Sequence, residues 1–371
     1  MEKIHVIIST INVVNAINKF RPAFVNHEWK IIIIDEGDGN IRRKNEKLLS
    51  NLNFEFYGPR ERKEWFKERF RSSYEKYASV IPERCHAETS FGFLVAYEEE
   101  PDFIIELDDD VFAFKSYNIV DDHFNNLSDQ RGITVSSKCK WYNTLENLEL
   151  SSSTSIFPRG HPYAPETRKE DYDWVNQGSK CVLNMGLWAG DPDFDALTIL
   201  YNGGLDGKCN IKALNCKRNK VIVDKGTYFA ICSMNTSFVP KIIPAFYQLY
   251  MNFMGIDRFD DIWSGIFLKK IADHLGDRIS LGGPLVYHDK RPRNVFNDLK
   301  KELEGMIINE ILWKIVDSLN LEGITYWDSY NSLIQGLEKN LLKLQDKLHQ
   351  KFLSVQIQKM SIWLKIIDKI A

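Results

Sequence analysis

Apolar, β-branched runs that end in small or acidic residues recur through the first third of the chain, and this pattern constrains the fold most. The first two runs, residues 4–9 and 30–34, are separated by a stretch at 13–20 with helical character. Runs without polar alternation are typical of parallel strands that are buried on both faces. The sequence therefore predicts an α/β fold with a mixed, mostly parallel sheet flanked by helices.

A third run of this kind, residues 102–107, follows a helical stretch at about 83–99 and leads directly into three aspartates. In open α/β sheets, ligands collect at the carboxyl ends of the strands. All three runs carry polar or acidic residues at that end. The sequence therefore predicts a binding site formed by Ser9, Thr10, Asp35, Asp108, Asp109 and Asp110.

The three consecutive aspartates pose an electrostatic problem that a cation would solve. Like charges at a strand end repel each other, and a partly buried cleft screens that repulsion poorly. Carboxylate oxygens suit Mn²⁺ or Mg²⁺. Side chains alternate along an extended chain, so Asp108 and Asp110 are the expected ligands, while Asp109 faces away or binds a backbone amide. A solvated turn or a helix N-cap is the alternative.

A cation at this place has a chemical use. It would neutralise the charge that develops on a nucleoside diphosphate as the latter leaves the anomeric carbon of a sugar. The triplet therefore indicates nucleotide-sugar chemistry on a GT-A-like fold.

Composition and charge exclude several other classes of protein. The chain has 371 residues and a formal net charge of −3, so it offers no global basic field for nucleic acid. No run approaches the roughly 18 apolar residues of a membrane-spanning helix. The first residues lack the apolar core and cleavage site of a signal peptide. The six cysteines show no CxxC spacing, as expected of free thiols. We expect a cytoplasmic protein.

The residue pattern changes near position 298. Residues 1–298 contain the strand-like runs and nearly all the turn residues, and we assign them to one nucleotide-sugar-binding catalytic domain. Residues 299–371 lack proline and are typical of amphipathic helices. Their apolar stripe is expected to pack on the domain itself or to form a homo-oligomer, with peripheral membrane contact as the minority alternative.

Six stretches of the first 300 residues together carry a family resemblance. They are ELDDDVF (106–112), FPRGHPY (157–163), NMGLW (184–188) with DPDFDA (191–196), CSMN (232–235), RFDDIWSG (258–265) and YHDK (287–290). In this order they resemble the reversibly glycosylated polypeptides, the family that includes the plant UDP-arabinopyranose mutases. The resemblance implies a GT-A nucleotide-sugar fold, a divalent metal that is usually Mn²⁺, a UDP-sugar substrate and self-glycosylation.

Arg159 matches the arginine that the family links to self-glycosylation. A guanidinium stays protonated at neutral pH, so it is a reluctant nucleophile and needs strong help to attack carbon. A bidentate clamp on the diphosphate is the plainer role. A purely structural arginine is the third alternative, and the sequence leaves all three open.

Two further segments supply candidates for the metal and the chemistry. His288 follows a short strand-like run and is predicted as a metal ligand beside Asp108 and Asp110. The alternative is a structural role, which most lone histidines have. Asp260 and Asp261 open a helical pattern that reaches Gly276. They either cap that helix or place one carboxylate at the sugar hydroxyls as a general base or orienting group.

The remaining candidates concern the nucleoside and the sugar. Asp35 is expected to take a hydrogen bond from the ribose or the uracil, by analogy with other nucleotide-binding α/β folds. Trp188, Asp191 and Asp193, together with Asp195, lie in a glycine- and proline-containing stretch and are predicted to hold the sugar. An ordinary acidic loop is the alternative for this stretch.

We predict from these observations a metal-dependent UDP-sugar mutase that converts the pyranose form of a UDP-sugar to the furanose form. The first alternative is a glycosyltransferase that passes the sugar to a protein, glycan or lipid acceptor. The second is a non-catalytic subunit that binds the sugar nucleotide and recruits a partner.

Overall fold

The computed structural model describes residues 2–24, 27–115 and 117–371. Within these ranges one sheet contains the strands β1 (Lys3–Thr10), β2 (Glu28–Asp35), β3 (Phe54–Tyr57), β4 (Phe103–Asp108), β5 (Val111–Ala113), β6 (Ile133–Ser137), β7 (Leu148–Leu150), β8 (Tyr172–Val175), β9 (Leu183–Gly190), β10 (Ala213–Cys216), β11 (Lys220–Val223), β12 (Asn235–Phe238) and β13 (Ile279–His288). The helices are α1 (Ile17–Phe20), α2 (Gly39–Leu49), α3 (Pro59–Phe70), α4 (Tyr74–Ala78), α5 (Ser90–Glu99), α6 (Ile119–Ser128), α7 (Ala196–Tyr201), α8 (Asp260–Leu275), α9 (Val295–Ser318), α10 (Tyr326–Lys339) and α11 (Lys347–Ile370).

The three predicted strand runs lie side by side, as β2, β1 and β4. β1 pairs in parallel with both neighbours, so that Ser9 lies between Ile34 and Asp108. The apolar residues of these strands are buried, for example Ile7 and Ile105, both 0% exposed. The parallel register brings the carboxyl ends of β1, β2 and β4 to one edge of the sheet.

The sheet is mixed, and its principal path runs β3-β2-β1-β4-β12-β9-β13-β11-β6-β8. Five of the nine neighbouring pairs on this path are parallel, and β12 runs antiparallel to both β4 and β9. Helices flank the sheet; α5 packs on β1 and β2, and α6 packs on β9 and β13. The predicted α/β fold, with a mixed sheet flanked by helices, is confirmed.

Two predicted helices are shorter than the sequence pattern suggests. The stretch at 13–20 contains only α1, because Asn45 holds the preceding loop: its side chain accepts a hydrogen bond from Val14 N and donates one to Asn12 O. The stretch at 83–99 becomes helical only at Ser90, after a 3₁₀ turn, since Arg84 has a left-handed φ of 53°. The predicted helix from Asp260 is confirmed as α8, with Gly276 at φ 80° as its C-cap.

The C-terminal helices are built into the core of the protein. The predicted boundary between 298 and 299 falls within α9. Trp363 of α11 is fully buried and stacks on Tyr247 at a centroid distance of 5.0 Å. Phe352 of α11 stacks on Phe253 at 4.7 Å. Most of the apolar face of α11 is therefore covered by the chain itself, and the predicted homo-oligomer stays a prediction.

A membrane-spanning helix is a separate question from peripheral membrane contact, which stays a prediction. Across the part of the chain that the structure describes, none of the helices combines the length and apolar character needed to cross a bilayer.

Candidate active site

A cavity of about 350 Å³ opens at the carboxyl ends of β1, β4 and β13, and we call it the candidate cavity. Its volume is within the range of small-ligand sites. It brings together ten of the residues that the sequence singled out, from six segments of the chain: Ser9, Thr10, Asp108, Asp109, Asp110, Arg159, Asp193, Asp260, Asp261 and His288.

The three aspartates of the triplet have different partners. Asp108 ends β4, and its Oδ1 lies 3.1 Å from Nε2 of His86. Asp110 Oδ1 lies 3.8 Å from Nε2 of His288. Asp109 accepts hydrogen bonds from Thr10 at 2.5 Å and from Arg291 at 2.8 Å, so it binds side chains rather than the backbone amide that was expected. Asp109 therefore ties the triplet to the end of β1.

His86 joins the triplet to helix α8 and was missed by sequence reasoning. Its Nδ1 lies 3.0 Å from Asp260 Oδ2, and its Nε2 faces Asp108. Burial alone would lower the pKa of His86, but its hydrogen bonds and ion pairs with Asp108 and Asp260 raise it well above the usual value. An imidazolium between two carboxylates results. No local signal marks this histidine, since its partners are 22 and 174 residues away.

Arg159 has a protein partner for each of its N–H groups. Nε donates to Asp193 at 3.0 Å, and one terminal nitrogen bridges Asp193 and Asp261 at 2.9 and 3.0 Å. The other terminal nitrogen donates to Asp261 at 3.2 Å and to the carbonyl of Arg258. Burial opposes the charge, yet Asp193 and Asp261 raise the pKa of Arg159 well above its usual value. Arg159 is therefore a protonated side chain that fixes two buried carboxylates.

Helix α9 supports the loop that carries Arg159. Gly160 has a φ of 87°, and a Cβ there would lie 2.5 Å from Ile262 of α8, so only glycine fits. Asn309 of α9 donates to the Gly160 carbonyl at 2.9 Å and accepts from Trp263 at 3.0 Å. The arginine loop is thus held between α8 and α9.

A second group of cations lies beside the cavity and was also missed. Arg258, Arg291 and Arg293 line it. Lys290 is 2% exposed; burial and the charges of Arg293 and Arg258 lower the pKa of Lys290 to about 8. The signal was present in the sequence, because Lys290-Arg291-Pro292-Arg293 directly follows His288.

Four predicted residues, Asp35, Trp188, Asp191 and Asp195, are not among those that line the cavity. Asp35 ends β2 and accepts a hydrogen bond from Gly37 N at 3.0 Å. Trp188 lies in the fully buried strand β9, with an exposed fraction of 1%. Asp191 is paired with Lys212, and Asp195 caps α7 through Thr198 N. The structure does not bring these residues into the cavity lining, and their predicted roles stay predictions.

The carboxylate and imidazole groups of the cavity are of the kinds that bind a divalent cation, but they do not surround a single point. Within residues 2–24, 27–115 and 117–371, no three His, Cys, Asp or Glu side chains are close enough to enclose a metal ion. His288 Nδ1, however, is bonded to the Asp191 carbonyl at 2.5 Å, which leaves Nε2 as the atom that faces Asp110. Metal-binding imidazoles are oriented in this way. The donor set of two carboxylates and one imidazole fits Mn²⁺ or Mg²⁺.

Glu88 is a neutral carboxylic acid at the wall of the cavity. It is 3% exposed, and its Oε2 has no hydrogen-bond partner among the described residues. Burial, with the neighbouring Glu36, raises the pKa of Glu88 to about 9 against the opposing charge of Arg62. The pKa of this carboxyl is about 4.5 in the unfolded chain and about 9 in the folded chain. Between these two pH values the folded state therefore binds one more proton than the unfolded state.

We expect Glu88→Gln to remove a pH dependence of stability. In that window the free energy of unfolding of the natural chain falls as pH rises, because the unfolded carboxyl is ionised and the folded one is not. The amide that replaces the carboxyl stays neutral, so the variant gains roughly 2–4 kcal/mol over the natural chain at pH 7 and little at pH 4. Urea unfolding at both pH values measures this. The exposed Glu83→Gln is the matched control, and equal pH slopes in all three proteins would contradict the assignment.

Comparison with known proteins gives one consistent family. A model described as "Reversibly glycosylated polypeptide" matches residues 1–370. "UDP-arabinopyranose mutase 1" of Arabidopsis thaliana is 26% identical over 374 residues, which is 98% of this chain and 92% of the relative. "UDP-arabinopyranose mutase 1" of Oryza sativa subsp. japonica is 26% identical over 355 residues, 92% of this chain and 85% of the relative.

Similarity to solved structures is low. Mouse xyloside xylosyltransferase 1 in its apo form is 12% identical, with 37% of this chain and 53% of that chain covered and a TM-score of 0.20.

Proposed function

Because this chain belongs to the reversibly glycosylated polypeptide family, we propose that it is a metal-dependent UDP-sugar mutase that interconverts the pyranose and furanose forms of a UDP-sugar of the UDP-arabinopyranose type. Curated relatives that match nearly the whole chain carry the name UDP-arabinopyranose mutase. One observation carries the proposal at the level of the site: the triplet Asp108–Asp110 and the family arginine, Arg159, line one cavity.

In the proposed site, Asp108, Asp110 and His288 would hold a divalent cation, Mn²⁺ or Mg²⁺. Such an ion supplies positive charge to the diphosphate of the substrate. Asp108 is kept ionised, because the hydrogen bond and charge of His86 outweigh the effect of burial and lower the pKa of Asp108. Asp109 holds the triplet in place through Thr10 and Arg291.

Asp260 and Asp261 are the proposed groups for the sugar. Both line the cavity at the start of α8, and both are 3% exposed. His86 holds Asp260 and Arg159 holds Asp261, so neither carboxylate can turn away from the cavity without losing a charged partner. Fixed carboxylates can orient the sugar hydroxyls. They can also take the proton from the hydroxyl that closes the new ring.

The reaction requires the sugar and UDP to stay together after the anomeric C–O bond breaks. The diphosphate oxygen takes the bonding electrons. O4 must then bond to C1 and lose its proton, the C1–O5 ring bond must break as O5 takes up a proton, and UDP must bond to C1 again before water reaches it. The arginine loop held between α8 and α9 forms one wall of the cavity that would retain both fragments. Retention of this kind separates a mutase from a hydrolase.

Self-glycosylation is part of the proposal because of the family, and the state of Arg159 bears on where it occurs. A guanidinium must lose a proton before it can attack carbon, whereas Asp193 and Asp261 stabilise the protonated form. This conformation therefore favours a positioning role for Arg159, in which it holds these two carboxylates. It does not favour Arg159 as the sugar acceptor.

Incubation of the purified protein with UDP-arabinopyranose and Mn²⁺, without an acceptor, tests the proposed function. We expect UDP-arabinofuranose to accumulate to a constant ratio, and the same ratio to be reached from the furanose side. Turnover that needs an added protein, glycan or lipid would instead identify a glycosyltransferase. Binding of UDP without turnover under either condition would identify a non-catalytic subunit.

A further inference from the structure

Three cations form a cluster at the edge of the candidate cavity, and we call Arg258, Lys290 and Arg293 the basic cluster. Arg258 and Arg293 line the cavity. Lys290 is buried next to them, and its charge interacts with both guanidinium groups. The cluster comes from two segments, the loop before α8 and the loop between β13 and α9.

The hydrogen-bond donors of this cluster are only partly used. Arg258 pairs through Nε with Glu302 at 2.5 Å, and Arg293 pairs through Nε with Asp298 at 3.2 Å. Within the described ranges, the terminal nitrogens of both guanidinium groups make no hydrogen bond. The same ranges offer no partner to the buried Nζ of Lys290. Crowded cations with unused donors are costly to bury unless an anion joins them.

The backbone holds both arginines in fixed positions. Arg258 has a left-handed φ of 69°, and its carbonyl accepts a hydrogen bond from Arg159. Arg293 N donates to Asp206 O at 2.7 Å. Gly207, at φ 81°, lets the stem of Arg293 pass where a Cβ would lie 2.7 Å from its Cγ. Strained backbone that the surroundings enforce is typical of ligand-binding positions.

Arg159 cannot supply this function in the conformation described, since its N–H groups are bonded to Asp193, Asp261 and the Arg258 carbonyl. We infer that Arg258, Lys290 and Arg293 form a clamp that binds the pyrophosphate of the nucleotide-sugar directly, through charge-assisted hydrogen bonds that need no metal ion. The inference rests on the proposed function for the source of the pyrophosphate. It deepens that proposal by naming the residues that retain UDP.

Such a clamp would act on the bond-breaking step as well as on binding. When the anomeric C–O bond breaks, its electron pair passes to the diphosphate oxygen, and UDP gains one negative charge. Cations fixed beside the diphosphate then bind the departing UDP more strongly than the intact UDP-sugar. The clamp would thereby lower the barrier and keep UDP available to recapture the furanose.

Calorimetric titration in EDTA with UDP, UMP and inorganic pyrophosphate tests the clamp. The natural chain should bind UDP and pyrophosphate without metal. In Arg293→Gln both affinities should fall roughly 10- to 100-fold, the range expected for a lost charged hydrogen bond. The ratio of the UDP affinity to the UMP affinity should fall with them, because the pyrophosphate contact is lost and the nucleoside contacts remain.

Two further variants make the test decisive. Arg131→Gln removes the same charge from a side chain that is 92% exposed and should change neither affinity. Arg258→Gln combined with Glu302→Gln repeats the test without leaving the fully buried Glu302 charge unpaired. Failure of the natural chain to bind pyrophosphate in EDTA, or equal affinities in Arg293→Gln and Arg131→Gln, overturns the clamp. Failure of the mutase proposal appears separately, as absence of furanose with pyrophosphate binding intact.

Discussion

Replacement of Arg159 by alanine is expected to destabilise the fold by about 3–5 kcal/mol, the cost of removing one partner from a buried ion pair. Arg159 is 8% exposed and is the shared partner of Asp193 and Asp261. Without it, two buried carboxylates repel each other and one of them must take up a proton. Turnover should fall by at least about 100-fold, because small displacements of positioned groups have effects of that size.

Urea unfolding and a turnover assay on the same preparation measure both effects. Arg159→Lys keeps one positive charge but cannot make the five donations, so it should recover part of the stability and little of the turnover. The double variant Arg159→Ala with Asp193→Asn removes one of the stranded charges and should be more stable than Arg159→Ala alone. If Arg159→Ala unfolds like the natural chain and loses only self-glycosylation, the positioning role is wrong.

The first half of the sheet and the acidic edge of the site could be predicted because their signals are local. β1, β2 and β4 are nearly uninterrupted apolar runs, and parallel pairing then places Ser9 and Asp108 side by side. The helical spacing after Asp260 and the glycine at position 276 fix α8 in the same way. Each of these features depends on residues within about one element of the chain.

The parts that were predicted wrongly or missed depend on distant residues. The helix expected at 13–20 is cut short by Asn45 of α2, which lies 31 residues from its partner Val14. The glycines around Trp188 suggested a loop, yet Gly186 lies in β9 where a Cβ would come within 2.2 Å of Asn235, so the glycine allows strands to pack closely. Trp188 lies two residues further along this strand and is 1% exposed.

The partners of the charged residues could not be predicted from the sequence either. Arg159 is bonded to carboxylates 34 and 102 residues away. Its motif matched the arginine that the family links to self-glycosylation, but whether its N–H groups face a ligand or the protein depends on where Asp193 and Asp261 lie. The distinction between a clamp and a positioning residue is therefore a property of the tertiary structure, and it moves the clamp role to Arg258 and Arg293.

Asp110→Asn is expected to have opposite effects on UDP binding with and without metal. Burial and the charges of Asp108 and Asp109 raise the pKa of Asp110, with His288 acting against them, so the negative charge of Asp110 is poorly compensated. A bound cation uses that charge, and loss of a ligand should weaken UDP binding in Mn²⁺ by roughly 10- to 100-fold. In EDTA the same carboxylate only repels the diphosphate, so its removal should strengthen UDP binding severalfold.

Calorimetric titration of UDP in Mn²⁺ and in EDTA shows whether the sign reverses, and turnover should be lost in either condition. Asp289→Asn is the matched control, because Asp289 is in the adjoining loop, pairs with Lys208 at 3.1 Å and has a side chain that is 60% exposed. It should shift both affinities slightly and in the same direction. If the effect on UDP binding changes sign between Mn²⁺ and EDTA in Asp110→Asn but not in Asp289→Asn, a cation is assigned to the triplet. If Asp110→Asn strengthens UDP binding equally in Mn²⁺ and in EDTA, no metal acts through this carboxylate, and retention of UDP would depend on the basic side of the cavity.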